Sequence, residues 1–186
     1  MRHDITIAPF NGIWPRIHDS AFIAPGCRII GDVEIGPESS IWYNCVIRGD
    51  SNIIRIGART NIQDGSVVHC DSPKPGRPEG FPTIIGDDVL VGHMAIIHGC
   101  TLEHRAFVGL GATVMDGCTV SSDAMLAAGA LLSPGKTIPP RQMWIGRPAT
   151  MARELNDAQL ADLQRGVAHY VANGQAHKAS LAGLDG

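Results

Sequence analysis

The feature that most constrains this chain is a period of six. An aliphatic residue stands at Ile23, Ile29, Ile35, Ile41 and Ile47, and the series resumes after a three-residue insertion at Ile56, Ile62 and Val68. A Pro/Gly-rich stretch, residues 70–82, interrupts it before Ile85, Val91 and Ile97. One step is then a residue short, to Leu102, and the pattern runs on through Val108, Val114, Val120, Leu126, Leu132 and Ile138. Neither a helix nor an alternating strand has this period, whereas short flat strands joined by sharp corners, three to a turn, require it. Four residues after the aliphatic position come Cys27, Val33, Ser39, Cys45, Thr60, Ser66, Val89, Ala95, Ala106, Ala112, Cys118, Ala124 and Ala130. All are small or β-branched, as a crowded corner demands. Eighteen positions make six turns, and at roughly 4.8 Å per coil they predict a prism about 29 Å tall.

The fold class expected is therefore mainly β, a parallel β-helix over residues 1–148 with the 70–83 loop projecting from it. Residues 1–22 are expected to cover the first coil, with Phe10, Ile13 and Trp14 as plugs. Pro139, Pro140, Gly146 and Pro148 end the period, and residues 149–186 are expected to be a helical segment packed on the prism. Asn156 or Asp157 would cap it, and Leu160, Leu163, Val167 and Tyr170 or Val171 mark its apolar stripe. Asn173-Gly174 is expected to weaken it, leaving the tail as a second helical piece or frayed.

Composition narrows the partners. A net charge of −3 with both signs interspersed gives no footprint for nucleic acid or an anionic membrane. No run approaches the 18 or so apolar residues of a spanning helix, and Met1-Arg2-His3-Asp4 opens onto no apolar stretch of signal length. The expectation is a soluble, cytoplasmic protein. Five cysteines with no C-x-x-C pair argue against a disulfide framework or thiolate metal site, and read as small buried side chains.

The six-residue frame gives each polar residue an address. Arg48, His69 and His98 all follow the aliphatic position directly, in corresponding slots of different coils, and form one vertical column. His69 and His98 should stand one rung apart, near enough for both imidazoles to reach one metal ion. His93 lies one slot earlier, stacked over Asp64 at a neighbouring corner. A threefold packing of prisms would carry His93 of one chain to His69 and His98 of the next. The remaining histidines, His3, His18, His104, His169 and His177, read as surface or structurally satisfied residues.

These stretches, Ile47-Arg48-Gly49-Asp50, Thr60-Asn61-Ile62-Gln63-Asp64-Gly65 with His69, and Val91-Gly92-His93 through His98-Gly99-Cys100, resemble the γ-class carbonic anhydrases. The resemblance runs from about Pro15 to Arg153. It implies a left-handed coil, where the general crossover rule would give a right-handed one. It further implies a homotrimer in which His69 and His98 bind zinc together with His93 of the adjacent subunit. Gln63 and Asp64 would orient the hydroxide at the metal, and Arg48 and Asp50 would pair across subunits. The substrate would be carbon dioxide, hydrated reversibly to bicarbonate, with Zn2+ as cofactor; iron or cobalt also suits a three-histidine site. The prototype enzyme has a glutamate after the Arg-x-Asp element and a shuttle glutamate in an acidic loop. Here Ser51 follows Asp50, and the loop offers only Glu79 besides Asp71, leaving Glu79 or Tyr170 as candidate proton shuttles. Two other readings stand beside this one: a hexapeptide-repeat acyltransferase using a coenzyme A thioester, and a non-catalytic, metal-stabilised trimeric scaffold.

Overall fold

An aliphatic side chain at every sixth residue fills the inside of a three-sided solenoid. In the computed structural model, which describes residues 4–182, every aliphatic position of the series is buried except the partly buried Ile23. The thirteen small or β-branched corner residues are buried as well. The strands pair in parallel, each coil directly above the last. Ile29, Ile47, Val68, Ile97, Val114 and Leu132 form one continuous ladder. This is a parallel-strand β-helix, consistent with the left-handed coil that the resemblance implies. Burying one large aliphatic group per strand, at about 25 cal/mol per Å2 of apolar surface, is the main force holding it together.

Three faces follow. The first carries Phe22–Ile23, Ser40–Ile41, Asn61–Ile62, Leu90–Val91, Phe107–Val108, Met125–Leu126 and Gln142–Ile145. The second carries the early halves of the long strands Arg28–Ile35 and Val46–Ile56, then Val67–His69, Ile96–His98, Thr113–Val114 and Leu131–Leu132. The third holds the later halves of the same long strands, then Thr83–Ile85, Thr101–Leu102, Thr119–Val120 and Thr137–Ile138. The corner between the second and third faces takes both the three-residue insertion near Asp50 and the 70–82 loop.

The beginning of the chain differs from expectation. Thr6–Ala8 and Arg16–Ile17 pair in parallel with Arg28–Ile35 and form an additional coil, so the solenoid is longer than six turns. Phe10, Ile13 and Trp14 do not plug it. They lie on and beside a hairpin turn closed by two 3.0 Å backbone hydrogen bonds between Phe10 and Ile13, and are 42, 46 and 58% exposed. Backbone pairing with the next coil claims this segment, and that turns its apolar side chains outward.

At the other end Gln142–Ile145 adds a last rung to the first face, and Thr150–Glu154 doubles back on it antiparallel. Helix α1, Asp157–Ala182, follows. Asn156 caps it reciprocally: Asn156 Oδ1 accepts from the Gln159 amide at 3.0 Å, and Gln159 Oε1 accepts from the Asn156 amide at 3.1 Å. The helix runs unbroken through Asn173-Gly174. A side chain on Gly174 would stand 3.2 Å from Ser40 Cβ, so the glycine that lowers local helix propensity also permits close packing on the first face. No described helix is long and apolar enough to cross a membrane. All five cysteines are buried and free.

Ion pairs stitch successive coils at the corner between the third and first faces. Arg105 grips Asp123 through two 2.8 Å hydrogen bonds, which hold the Asp123 carboxyl below its ordinary range despite partial burial. A carboxylate held low stabilises the fold above its unfolded pKa of about 3.9 and loses that contribution as pH falls through the lower folded value. Asp123→Asn is expected to cost on the order of 0.5 kcal/mol at pH 7. In urea melts the gap from wild type should shrink at pH 3; an equal gap at both pH values would contradict this account.

Candidate functional site

The ladder places His98 directly over His69. Both project from the end of the second face, next to the corner that holds the inserted residues. Nδ1 of His69 and Nε2 of His98 are 3.1 Å apart. Their outer nitrogens are each taken by a carboxylate: His69 Nε2 lies 2.9 Å from Asp50 Oδ1, and His98 Nδ1 lies 2.6 Å from Asp116 Oδ1. A neutral imidazole has a single N–H, and an ionised carboxylate can only accept. With both rings neutral, as metal ligation requires, their N–H groups would point outward to Asp50 and Asp116, and the two inner nitrogens would present lone pairs to each other. Lone pairs at that distance repel unless a cation lies between them.

Asp50 also pairs with Arg48 of the same chain at 2.5 Å, although the resemblance implies a pair across subunits. Partial burial opposes ionisation of Asp50, but hydrogen bonds from His69 and Arg48 outweigh it and hold the carboxyl below its usual range. The backbone under the histidines is fixed as well. Thr83 Oγ1 donates to the His69 carbonyl and accepts from the Gly99 amide at 3.0 Å.

His93 stands at the corner between the first and second faces, beyond Leu90–Val91. Its Nδ1 is 2.7 Å from Asp64 Oδ2, one coil below, and Asp64 Oδ1 accepts from the Tyr43 amide at 3.2 Å. Among the described residues of this single chain, no three His, Cys, Asp or Glu side chains converge as a metal cluster; His93 stays apart from the other two histidines. All three histidines thus have one ring nitrogen held by an aspartate; His69 and His98 turn their other nitrogens toward each other, whereas His93 does not reach them. Gln63 is 4% exposed and donates to Asn61 Oδ1 at 3.1 Å.

Sequence reasoning missed Asp116. It carries no motif; it stands two residues after Val114, as Gly99 stands two after Ile97 on the coil below, and only the coil stacking puts it beside His98. The candidate shuttles are placed apart. Tyr170 packs edge-on against Trp42 at 5.3 Å, and burial pushes its phenol up. The backbone carbonyl of Glu79 accepts from Asn52 at 2.7 Å, and Asp71 pairs with Lys74 at 2.8 Å. Of the histidines read as structural, His177 bonds Tyr43 Oη at 2.9 Å, His18 bonds Ser20, and His104 accepts from the Asp87 amide. His3 lies outside the described residues.

A three-sided solenoid with a pair of carboxylate-held histidines on one edge has the architecture of a hexapeptide-repeat protein. Residues 15–49 match the bacterial transferase hexapeptide family (six repeats). A carbonic anhydrase of Geobacillus kaustophilus is 46% identical over 173 residues, 93% of this chain and 91% of the relative. The mitochondrial gamma carbonic anhydrase 1 of Arabidopsis thaliana is 46% identical over 169 residues, 90% of this chain. The chain spans only 61% of that plant protein's length. Among solved structures, a hexapeptide transferase family protein from Anaplasma phagocytophilum superposes with a TM-score of 0.86 at 41% identity, covering 95% of this chain and 99% of that one. The chain belongs to the γ carbonic anhydrase family.

Proposed function

We propose that this protein is a zinc-dependent carbonic anhydrase that acts as a homotrimer, with His69 and His98 of one subunit and His93 of the next holding the metal. The observation that carries this reading is the pair of facing nitrogens, His69 Nδ1 and His98 Nε2, on rings each held from behind by a carboxylate. Two nitrogens each about 2.05 Å from one ion at a tetrahedral angle would stand roughly 3.3 Å apart, close to the 3.1 Å found. His93, held at Nδ1 by Asp64, leaves Nε2 for a third bond but cannot turn it inward within its own chain. Val67, Met94, Ile96 and Leu110, all large and 38–67% exposed, lie on the second face and the corner that carries His93. An apolar belt beside an incomplete site favours burial against another copy.

When bound, zinc would lower the pKa of water to about 7 and so make hydroxide available at neutral pH. The protein's own residues do the rest. Asp50, Asp116 and Asp64 keep the imidazole lone pairs directed at the centre. Gln63 and Asp64 are the groups we assign to orient the reacting water, and the Arg48–Asp50 pair steadies His69 from behind. The hexapeptide transferase neighbour keeps a thioester-dependent acyl transfer in view as the competing activity.

Metal analysis of the purified protein, combined with stopped-flow hydration of carbon dioxide before and after chelation, tests the proposal. Stoichiometric zinc, and hydration lost on chelation and restored by zinc, are expected. Metal without hydration would support the scaffold reading, and thioester turnover in metal-free protein would support the transferase.

A further inference from the structure

We infer that Asp116 is a positioning residue that fixes which nitrogen His98 offers to the metal. The inference rests on the metal reading above and adds a residue that the shared sequence stretches do not contain. Asp116 follows the strand Thr113–Val114, at the corner one coil above His98, and its Oδ1 lies 2.6 Å from His98 Nδ1. Asp50 divides itself between His69 and Arg48, and Asp64 between His93 and the Tyr43 amide. Asp116 by contrast has no Lys or Arg partner among the described residues. Its carboxylate is given wholly to the imidazole.

The surroundings are shaped to keep it there. Gly99, with φ of +54°, lies beneath the carboxylate, and a Cβ at that position would come within 2.3 Å of Asp116 Oδ1 and 2.8 Å of Phe81 Cβ. The glycine is needed twice, for its left-handed backbone and for the space. On either side the main chain is pinned. The Gly117 amide donates to the Gly99 carbonyl at 2.7 Å, and the Gly135 amide donates to the Asp116 carbonyl at 2.9 Å. The coils above and below thus set the carboxylate's position, and the carboxylate sets the ring: Nδ1 keeps the hydrogen, and Nε2 presents its lone pair opposite Nδ1 of His69. Removing an outer partner of this kind typically weakens metal binding by 10- to 100-fold.

The test is a competition titration of apo protein with Zn2+ against a chromophoric chelator, with Co2+ absorption spectra recorded alongside. Wild type, Asp116→Asn, Asp116→Ala and, as a control at a distant corner, Asp123→Asn are compared. Zinc affinity is expected to fall about 10- to 100-fold in both Asp116 variants, with altered Co2+ bands, while the control binds as wild type. The apo proteins should melt within a few degrees of one another. Wild-type protein that binds no metal would overturn the functional reading and this inference together. Wild-type binding with unchanged affinity in the Asp116 variants would overturn this inference alone. Long-range 1H–15N spectra of zinc-loaded wild type need no variant: His98 protonated at Nδ1 is expected, and His98 protonated at Nε2 would refute the assignment.

Discussion

Assembling His93→Ala chains with His98→Ala chains in equal amounts is expected to restore about one quarter of the metal sites, although each variant alone binds none. The fraction follows from the geometry of a closed ring. Every site takes His69 and His98 from one subunit and His93 from the next. A complete site therefore forms wherever a His93→Ala chain supplies the column and a His98→Ala chain supplies the corner. Random assembly gives that ordered pair at one interface in about four. Carbon dioxide hydration should return in the same proportion. The separation of His93 from the column within one chain motivates the experiment, and each imidazole keeps its aspartate whichever neighbour it meets. If both halves came from one subunit, mixing would restore nothing, and the proposed assembly would fall.

The second large effect is expected from Ile97→Ala, which should lower the unfolding free energy by about 2–5 kcal/mol. Ile97 is fully buried, between Val68 on the coil below and Val114 on the coil above. Truncation removes the transfer energy of three carbons and leaves a void that neighbouring rungs cannot close, because their spacing is fixed by backbone hydrogen bonds at about 4.8 Å. The neighbouring His98 should lose definition with it. Zinc affinity measured below the melting transition is therefore expected to fall, even though Ile97 touches no metal. Thermal and urea denaturation check the first effect and chelator competition the second. A stability loss under about 1 kcal/mol would mean that the coil relaxes around the missing side chain.

Part of the site was legible because the frame is a strict ruler. Counting in sixes put Arg48, His69 and His98 in one column and His93 over Asp64, and the ladder pairs His98 with His69 while His93 bonds Asp64 at 2.7 Å. Residue chemistry narrowed the helix cap to Asn156 or Asp157, and the structure places it on Asn156. The beginning of the chain was less legible, since Ile17 keeps the six-residue spacing to Ile23 but Ile7, which pairs with Ile29, stands ten residues before Ile17. Phe10, Ile13 and Trp14 have the composition of a plug, and only backbone pairing with Arg28–Ile35 shows that they face outward. Propensity alone makes Gly174 a weak point, whereas its missing side chain lets the helix pack closely on Ser40.

The sequence by itself determined the coil, its inward residues and the vertical alignment of the histidine column, because a one-dimensional repeat converts residue number directly into height and face. The tertiary structure decided how each histidine is held. It closed each ring onto a carboxylate, His69 onto Asp50, His93 onto Asp64 and His98 onto Asp116. Those contacts join residues 18 to 29 positions apart, across coils whose lengths vary with the insertion and the loop. Only the stacked backbone fixes that register to the tenths of an ångström that hydrogen bonds require.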